Sequence, residues 1–265
     1  MTEHMDAGMV IPSFVDGGTW SASFGLSWTG AMLHDQAKSG RIFREGGQYL
    51  RATAGTMGVA AGRTTIVRRF LETRAEWLFM VDTDMGFEPD TIDRLVASAE
   101  SNDCPVVGAL CFAQKADPRA PEDSLHARRF SIVPTVYRYT KIVETGEQGF
   151  RPVLDYTPGA FQQADATGAA CILIHRKALT ALGAQDPFRP LLVQGGNPDG
   201  TDREFSEDLS FCARLANAGV RIGVDTSVRT SHHKGGIFLD ETAYRAARVV
   251  AAASPLGVRP LEMAA

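Results

Sequence analysis

The chain has 265 residues, 44% hydrophobic and 22% charged, with 27 Lys and Arg against 31 Asp and Glu for a formal net charge of -4. This is ordinary globular composition with enough apolar residues for a sizeable core, and it excludes a generally basic nucleic-acid binder. Met1 to Asp6 carries Glu3 and Asp6 without a basic segment, so no secretory leader is expected, and no apolar run approaches the roughly 18 residues of a membrane span.

In chain order, Met9–Ile11 reads as a short first strand stopped by Pro12. A glycine-rich stretch with Trp20, Phe24 and Trp28 follows, with a helix expected from about Phe24 to Ala37 and a weak strand over Ile42–Ala52. Ile66, Val67, Phe70 and Leu71 share one helical face, and Gly62-Arg63 is read as preceding that helix. Trp77–Val81 is an unbroken apolar run, the mark of a strand buried on both faces of a mostly parallel sheet. Glu88-Pro89 is read as opening a helix whose stripe is Ile92, Leu95, Val96 and Ala99. Pro105–Phe112 reads as a second buried strand, Gln114–Arg129 as a polar loop, Ser131–Val143 as an edge hairpin and Glu144–Gly149 as a turn. Ala169–Ile174 is a third buried strand, followed by a short helix stopped at Gly183. Gly195–Phe205 reads as an acidic loop, Ser206 as the cap of a helix closed by Gly219, Val220–Val224 as a last short strand, and Glu241 onward as an Ala-rich helix breaking at Pro255. Strands alternating with helices give an α/β sheet covered on both faces. Cys104, Cys111, Cys171 and Cys212 lie far apart in apolar surroundings with no C-x-x-C pair, as expected of reduced core thiols in a cytoplasmic protein.

Chemistry concentrates in four places. Asp82-Thr83-Asp84 stands where the apolar strand ends, at the sheet edge where ligands bind in open α/β folds. Two carboxylates there repel unless a cation such as magnesium or manganese lies between them; a solvated turn is the plainer alternative. Glu207 and Asp208 follow Ser206 in a first helical turn, where the helix dipole alone would favour them. His232 and His233 follow a strand and offer imidazole to a metal shell. Arg63 could meet a phosphate beside backbone N–H groups.

The order Asp82-Thr83-Asp84, Thr167-Gly168-Ala169, Ser206-Glu207-Asp208 and His232 resembles the GT-A glycosyltransferases, with their DXD motif, glycine loop, xED motif and late histidine. Asp165–Leu179 and Ser206–Gly219 look like family two and its relatives, and WLFMVDTDMGF with DTSVRTSH looks most like small bacteriophage-encoded enzymes. The resemblance covers roughly residues 8 to 238 and implies a GT-A fold, a Rossmann-like, mostly parallel mixed sheet in one domain, with a helical tail over 239–265. It implies transfer of a hexose-type sugar from a nucleotide sugar, a UDP-sugar first, to a hydroxyl on a protein or glycan, by analogy with phage enzymes a virion protein, with manganese or magnesium as cofactor. It assigns Asp84, Asp82 and His232 to the metal, with Asp82 on the ribose or the metal and His233 the alternative to His232. Gly168 would lie against donor sugar and acceptor, Arg63 and Pro12 beside the nucleotide, and Asp208 with Glu207 would be catalytic, Asp208 as the base if the enzyme inverts, the stereochemistry being left open. Two positions depart from the pattern: no Asp after the second strand is placed to read uracil, and Thr64 follows Arg63 where relatives usually have Asn.

Nucleic acid and a stable membrane anchor are not expected as partners, and the location implied is cytoplasmic, the host's if phage-encoded. Two rival readings are a haloacid dehalogenase-type phosphatase using Asp82 as nucleophile and a non-catalytic carbohydrate-binding relative. The first expects Thr or Val where Gly86 stands; a sugar-nucleotide pyrophosphorylase shares the sheet, but Pro12–Gly18 of this chain lacks the glycine-rich phosphate loop it would need.

Overall fold

The apolar run at Trp77–Val81 forms most of strand β3 (Ala75–Val81), and both sides of the structure are built against it. The structure is a computed structural model and describes residues 6–116, 130–144, 146–183, 186–234 and 237–253. The central sheet has the order β10 (Phe161–Ala164), β15 (Ile222–Lys234), β5 (Val106–Leu110), β12 (Cys171–His175), β3, β1 (Asp6–Asp16), β2 (Leu50–Thr53). β1, β2, β3, β5 and β15 run one way, and β12 and β10 run against them. The sheet is therefore mixed and mostly parallel, as the alternation of strand and helix implies.

Strand alternation divides the core. Leu78 and Met80 face Ile66 and Phe70 of α2 (Gly58–Leu71), Leu179 of α4 (Arg176–Ala181) and Leu215 of α5 (Glu207–Asn217). Trp77, Phe79 and Val81 face the other way, onto Phe24 of α1 (Ala22–Ala37) and Ile92, Leu95 and Val96 of α3 (Thr91–Ser101). Each such side chain removed from water contributes about 1.5–3 kcal/mol. A third cluster joins Leu110, Phe112, Tyr156 and Leu239 to Tyr244 of α6 (Glu241–Ala253). The four cysteines are buried free thiols. Among the described residues no helix is long and apolar enough to cross a membrane.

Several expectations shift for identifiable reasons. β1 runs through Pro12 to Asp16. The Val10 N–H points away from β3 to the Arg41 carbonyl, so the donor missing at Pro12 falls on that same side, before β2 joins β1 at Ser13. Of the expected 42–52 strand only the end forms, within β2 (Leu50–Thr53), because the Asp35 carboxylate takes the N–H groups of Ile42 and Phe43 and holds a 3-10 turn at Phe43–Glu45. α2 begins at Gly58, which places Gly62-Arg63 inside the helix rather than before it. Asp90, not Glu88-Pro89, occupies the cap position of α3. Ser131–Val143 is not one hairpin: β7 (Phe130–Pro134) pairs with β6 (Phe112–Ala116), while β8 (Val136–Lys141) pairs with β9 (Gln148–Pro152) and β11 (Ala166–Thr167). The loop expected over 114–129 thus begins in β6, and residues 117–129 lie outside the described residues. β14 (Arg203–Phe205) closes a small ribbon with β13 (Leu191–Val193) where a loop is expected. β15 continues to Lys234, well beyond Val224, because β4 (Met85–Phe87) and β16 (Ile237–Leu239) pair with its far end. Pro255 lies outside the described residues.

Gly62 is required by packing: a Cβ there would stand 2.7 Å from Cγ1 of Val15 on β1. Gly62→Val is expected to destabilise the protein by about 1–3 kcal/mol through overpacking, read as a fall in urea midpoint without a change in slope.

Candidate functional site

β1, β3 and β5 end at the same edge of the sheet, and a cleft of about 520 Å³ opens there between the ends of β1 and β3 and the start of α5. Its lining includes Val15, Gly17, Thr19 and Trp20 on one side and Asp82, Thr83, Asp84, Glu207, His233 and Lys234 on the other. The backbone fixes the acidic turn within it. Asp82 N–H donates to the Ala170 carbonyl, Met85 N–H returns to the Asp82 carbonyl, and Ser21 N–H holds the Thr83 carbonyl.

The two aspartates of that turn have different partners. Asp82 Oδ1 accepts from Nη2 of Arg63 at 2.7 Å, and Nη1 of the same guanidinium donates to Glu207 Oε1, also at 2.7 Å. Arg63 is 4% exposed. Burial opposes its charge, but Asp82 and Glu207, with Asp208 beyond, hold its pKa above the ordinary value. One buried cation thus joins the end of β3 to the first turn of α5.

Asp84 meets His232 instead, Oδ2 to Nε2 at 3.1 Å, while Nδ1 of the ring lies 3.1 Å from the Phe112 carbonyl. That carbonyl can only accept, so Nδ1 carries a proton and Nε2 is left facing a carboxylate. A proton or a cation must lie between them. Without a metal the ion pair prevails. Burial pushes the Asp84 carboxyl up, but the His232 hydrogen bond and charge hold it below its ordinary value; the same bond lifts His232 above its own against burial. The other oxygen, Asp84 Oδ1, is buried with no hydrogen-bond partner. An unsatisfied buried carboxylate oxygen beside an imidazole whose far nitrogen is tied to a backbone carbonyl is a donor set suited to a divalent cation.

The expected three-residue shell is not assembled in advance. Among the described residues no three His, Cys, Asp or Glu side chains gather closely enough to hold a metal by themselves. Two protein ligands suit magnesium or manganese, which are commonly completed by water and substrate phosphates.

Asp208 lies in the first turn of α5, where Oδ1 accepts from the Ser206 hydroxyl and from Leu209 N–H at 2.8 Å. Ser206 stands at the cap position, but its hydroxyl serves this carboxylate rather than the helix. A Cβ on Gly168 would come within 3.3 Å of Thr135 and 3.7 Å of Asp208 Oδ2, so glycine keeps open the space before the carboxylate. Asp82, Asp84, Arg63 and Glu207 converge on the cleft; His232 lies buried behind Asp84, and Asp208 borders a neighbouring space with Gly168. Pro12 is buried within β1 and is not part of the lining.

Trp20, 47% exposed, escapes the motif reading although it lines the cleft, within an aromatic group of Phe14, Phe24, Trp28 and Tyr49. A tryptophan just after Gly17-Gly18 at a strand end is the sequence signal that could have found it. Lys115 was missed as well; its ammonium lies 5.1 Å from the Tyr137 ring, and burial holds its pKa down against the pull of Asp208.

No protein-family model and no curated protein matches this sequence. Solved structures match in fold. A197 from STIV is similar over 88% of this chain and 91% of that one, with 15% identity and a TM-score of 0.51. GalNAc-T7, in a crystal structure with UDP, GalNAc and Mn2+, is similar over 86% of this chain and 44% of that one, with 11% identity and a TM-score of 0.52. The chain therefore spans less than half of the GalNAc-T7 chain. These likenesses are of fold, and the fold is GT-A.

Removing the buried cation should leave Asp82 and Glu207 repelling each other. Arg63→Met is expected to cost about 3 kcal/mol, and Asp82→Asn with Glu207→Gln in the same chain should restore most of it, both read by urea unfolding.

Proposed function

We propose that this chain is a metal-dependent glycosyltransferase that moves a sugar from a nucleotide-sugar donor, a UDP-sugar first, to a hydroxyl group on a protein or glycan. The observation that carries the reading is the Asp84–His232 pair with the unsatisfied Oδ1 at the edge of a GT-A sheet. The presence of UDP, GalNAc and Mn2+ in the GalNAc-T7 structure supports the choice of donor and metal.

In this mechanism Asp84 and His232 are the residues that would hold manganese or magnesium. When bound, the metal neutralises the charge that builds on a departing nucleoside diphosphate. Arg63 keeps Asp82 and Glu207 fixed and offsets part of their charge, which lessens the repulsion a diphosphate meets in the cleft. Asp82, lining the cleft with one oxygen on Arg63, presents the other to the donor. Trp20 gives the cleft an apolar wall on which a nucleobase can stack. Gly168 admits the acceptor, and the Asp208 carboxylate takes the proton of its hydroxyl as that oxygen attacks the sugar. Hydrogen bonds from Ser206 and Leu209 leave Asp208 Oδ2 for that proton. A nucleophilic role for Asp82 agrees poorly with its bond to a buried guanidinium, which holds one carboxylate oxygen and draws charge away from the group a phosphatase would need as nucleophile.

Thermal unfolding with UDP, GDP and CMP, each with and without manganese, tests the donor side. A nucleotide at a hundredfold excess over its Kd stabilises by about 2.7 kcal/mol, a shift of roughly 5–10 °C for a chain of this size. UDP is expected to give it only with manganese and to lose it in Asp84→Ala; no shift with any nucleotide would overturn the reading. Asp208→Asn is expected to keep the shift while transfer falls by about 10²–10⁴, measured as donor consumed in the presence of acceptor.

A further inference from the structure

His232 is held from behind by segments that none of the four motifs contains. On β15 it pairs with Met85 of β4 on one side and Leu239 of β16 on the other. Its Nδ1 is tied to the Phe112 carbonyl. Leu239 and Phe112 both belong to the cluster capped by Tyr244, whose ring lies 5.2 Å from that of Phe112 and 6.0 Å from that of Tyr156. Tyr244 is 4% exposed and its hydroxyl donates to the Leu154 carbonyl.

α6 is also fastened to the strand that carries His232. Glu241, in its first turn, pairs with Arg229 on β15 at 2.9 Å, accepts from Tyr156 at 3.1 Å and pairs with Arg245 at 2.7 Å. Asp240 caps the helix, its carboxylate accepting from Ala243 N–H at 2.7 Å. Arg229 is three residues before His232, so the helix grips β15 close to the ring it must place.

We propose that α6 is part of the metal-holding apparatus and that Tyr244 is a positioning residue for His232, acting through Phe112 and β16; this rests on the reading of Asp84 and His232 as metal ligands. Tyr244 lines no part of the cleft, so it touches neither donor nor acceptor there. Its ring supports both groups that fix the imidazole: the strand pairing with Leu239 and the carbonyl that selects the Nδ1 proton. A nitrogen displaced by about 1 Å no longer shares a cation with Asp84, because ligand geometry at such sites tolerates little error. The helix is thereby a working element of the domain rather than an appended tail.

The test uses the full chain with Tyr244→Leu, Tyr244→Phe and Glu241→Gln, the last opening no cavity. Two quantities are read: the His232 ring N–H signal in nitrogen-resolved NMR, assigned by its loss in His232→Asn, and the manganese concentration that half-saturates UDP binding. Tyr244→Leu is expected to shift or broaden the ring signal and raise the manganese requirement about tenfold, with UDP affinity at saturating manganese within twofold of wild type. Tyr244→Phe should restore both, and Glu241→Gln should move both in the same direction by about threefold. A folded Tyr244→Leu, or Glu241→Gln if the former does not fold, with ring signal and manganese requirement both unchanged would overturn the proposal. If the wild type binds UDP without regard to manganese, the glycosyltransferase reading fails, and the ring signal alone still decides whether Tyr244 positions His232.

Discussion

One buried guanidinium sets the form of the site. Arg63 lies under the cleft with Asp82 on one nitrogen and Glu207 on the other, both at 2.7 Å. The partners come from segments far apart in sequence, one at the end of β3 and one at the start of α5, so the bond fixes the distance between the two acidic motifs. A buried cation is tolerable only when such partners compensate it, and the partners are tolerable side by side only because of the cation. Asp84 and Asp208, two and one residues removed from those carboxylates, are left to other work.

Packing explains why this arrangement is held at one edge of the sheet. Arg63 follows Gly62, whose missing side chain lets α2 settle onto Val15 of β1. Val15 is itself a wall of the cleft. The same contact therefore sets how deep the helix sits and how far the guanidinium reaches. On the far side β15 runs on beyond the central sheet to bring His232 to Asp84, and there β4, β16 and α6 take over its support.

Much of the fold was legible because its signals are local. The run WLFMV could hardly be anything but a two-faced buried strand, and the stripe Ile92, Leu95, Val96, Ala99 lies buried as its spacing requires. Asp84 beside His232 and Gly168 beside Asp208 were legible through the order of motifs. What escaped depends on contacts distant in sequence. No local pattern shows that Asp35 would capture the backbone at Ile42, or that Pro12 sits where β1 has not yet met β2. The partners of Arg63 lie 19 and 144 residues away, so the ion pairs that hold it were not legible in its local spacing. The length of β15 escapes for the same reason on one side: its far half pairs with β4, a strand far earlier in the chain.

The account stands on a cation shared by Asp84 and His232, with Asp82 held apart by Arg63. An anomalous-difference map from a crystal grown with manganese and UDP tests that most directly. The predicted result is a manganese peak within bonding distance of Asp84 Oδ1 and His232 Nε2, with Asp82 still on Arg63. A peak centred on Asp208 or Glu207, or nucleotide in the cleft with no manganese beside Asp84, would contradict it.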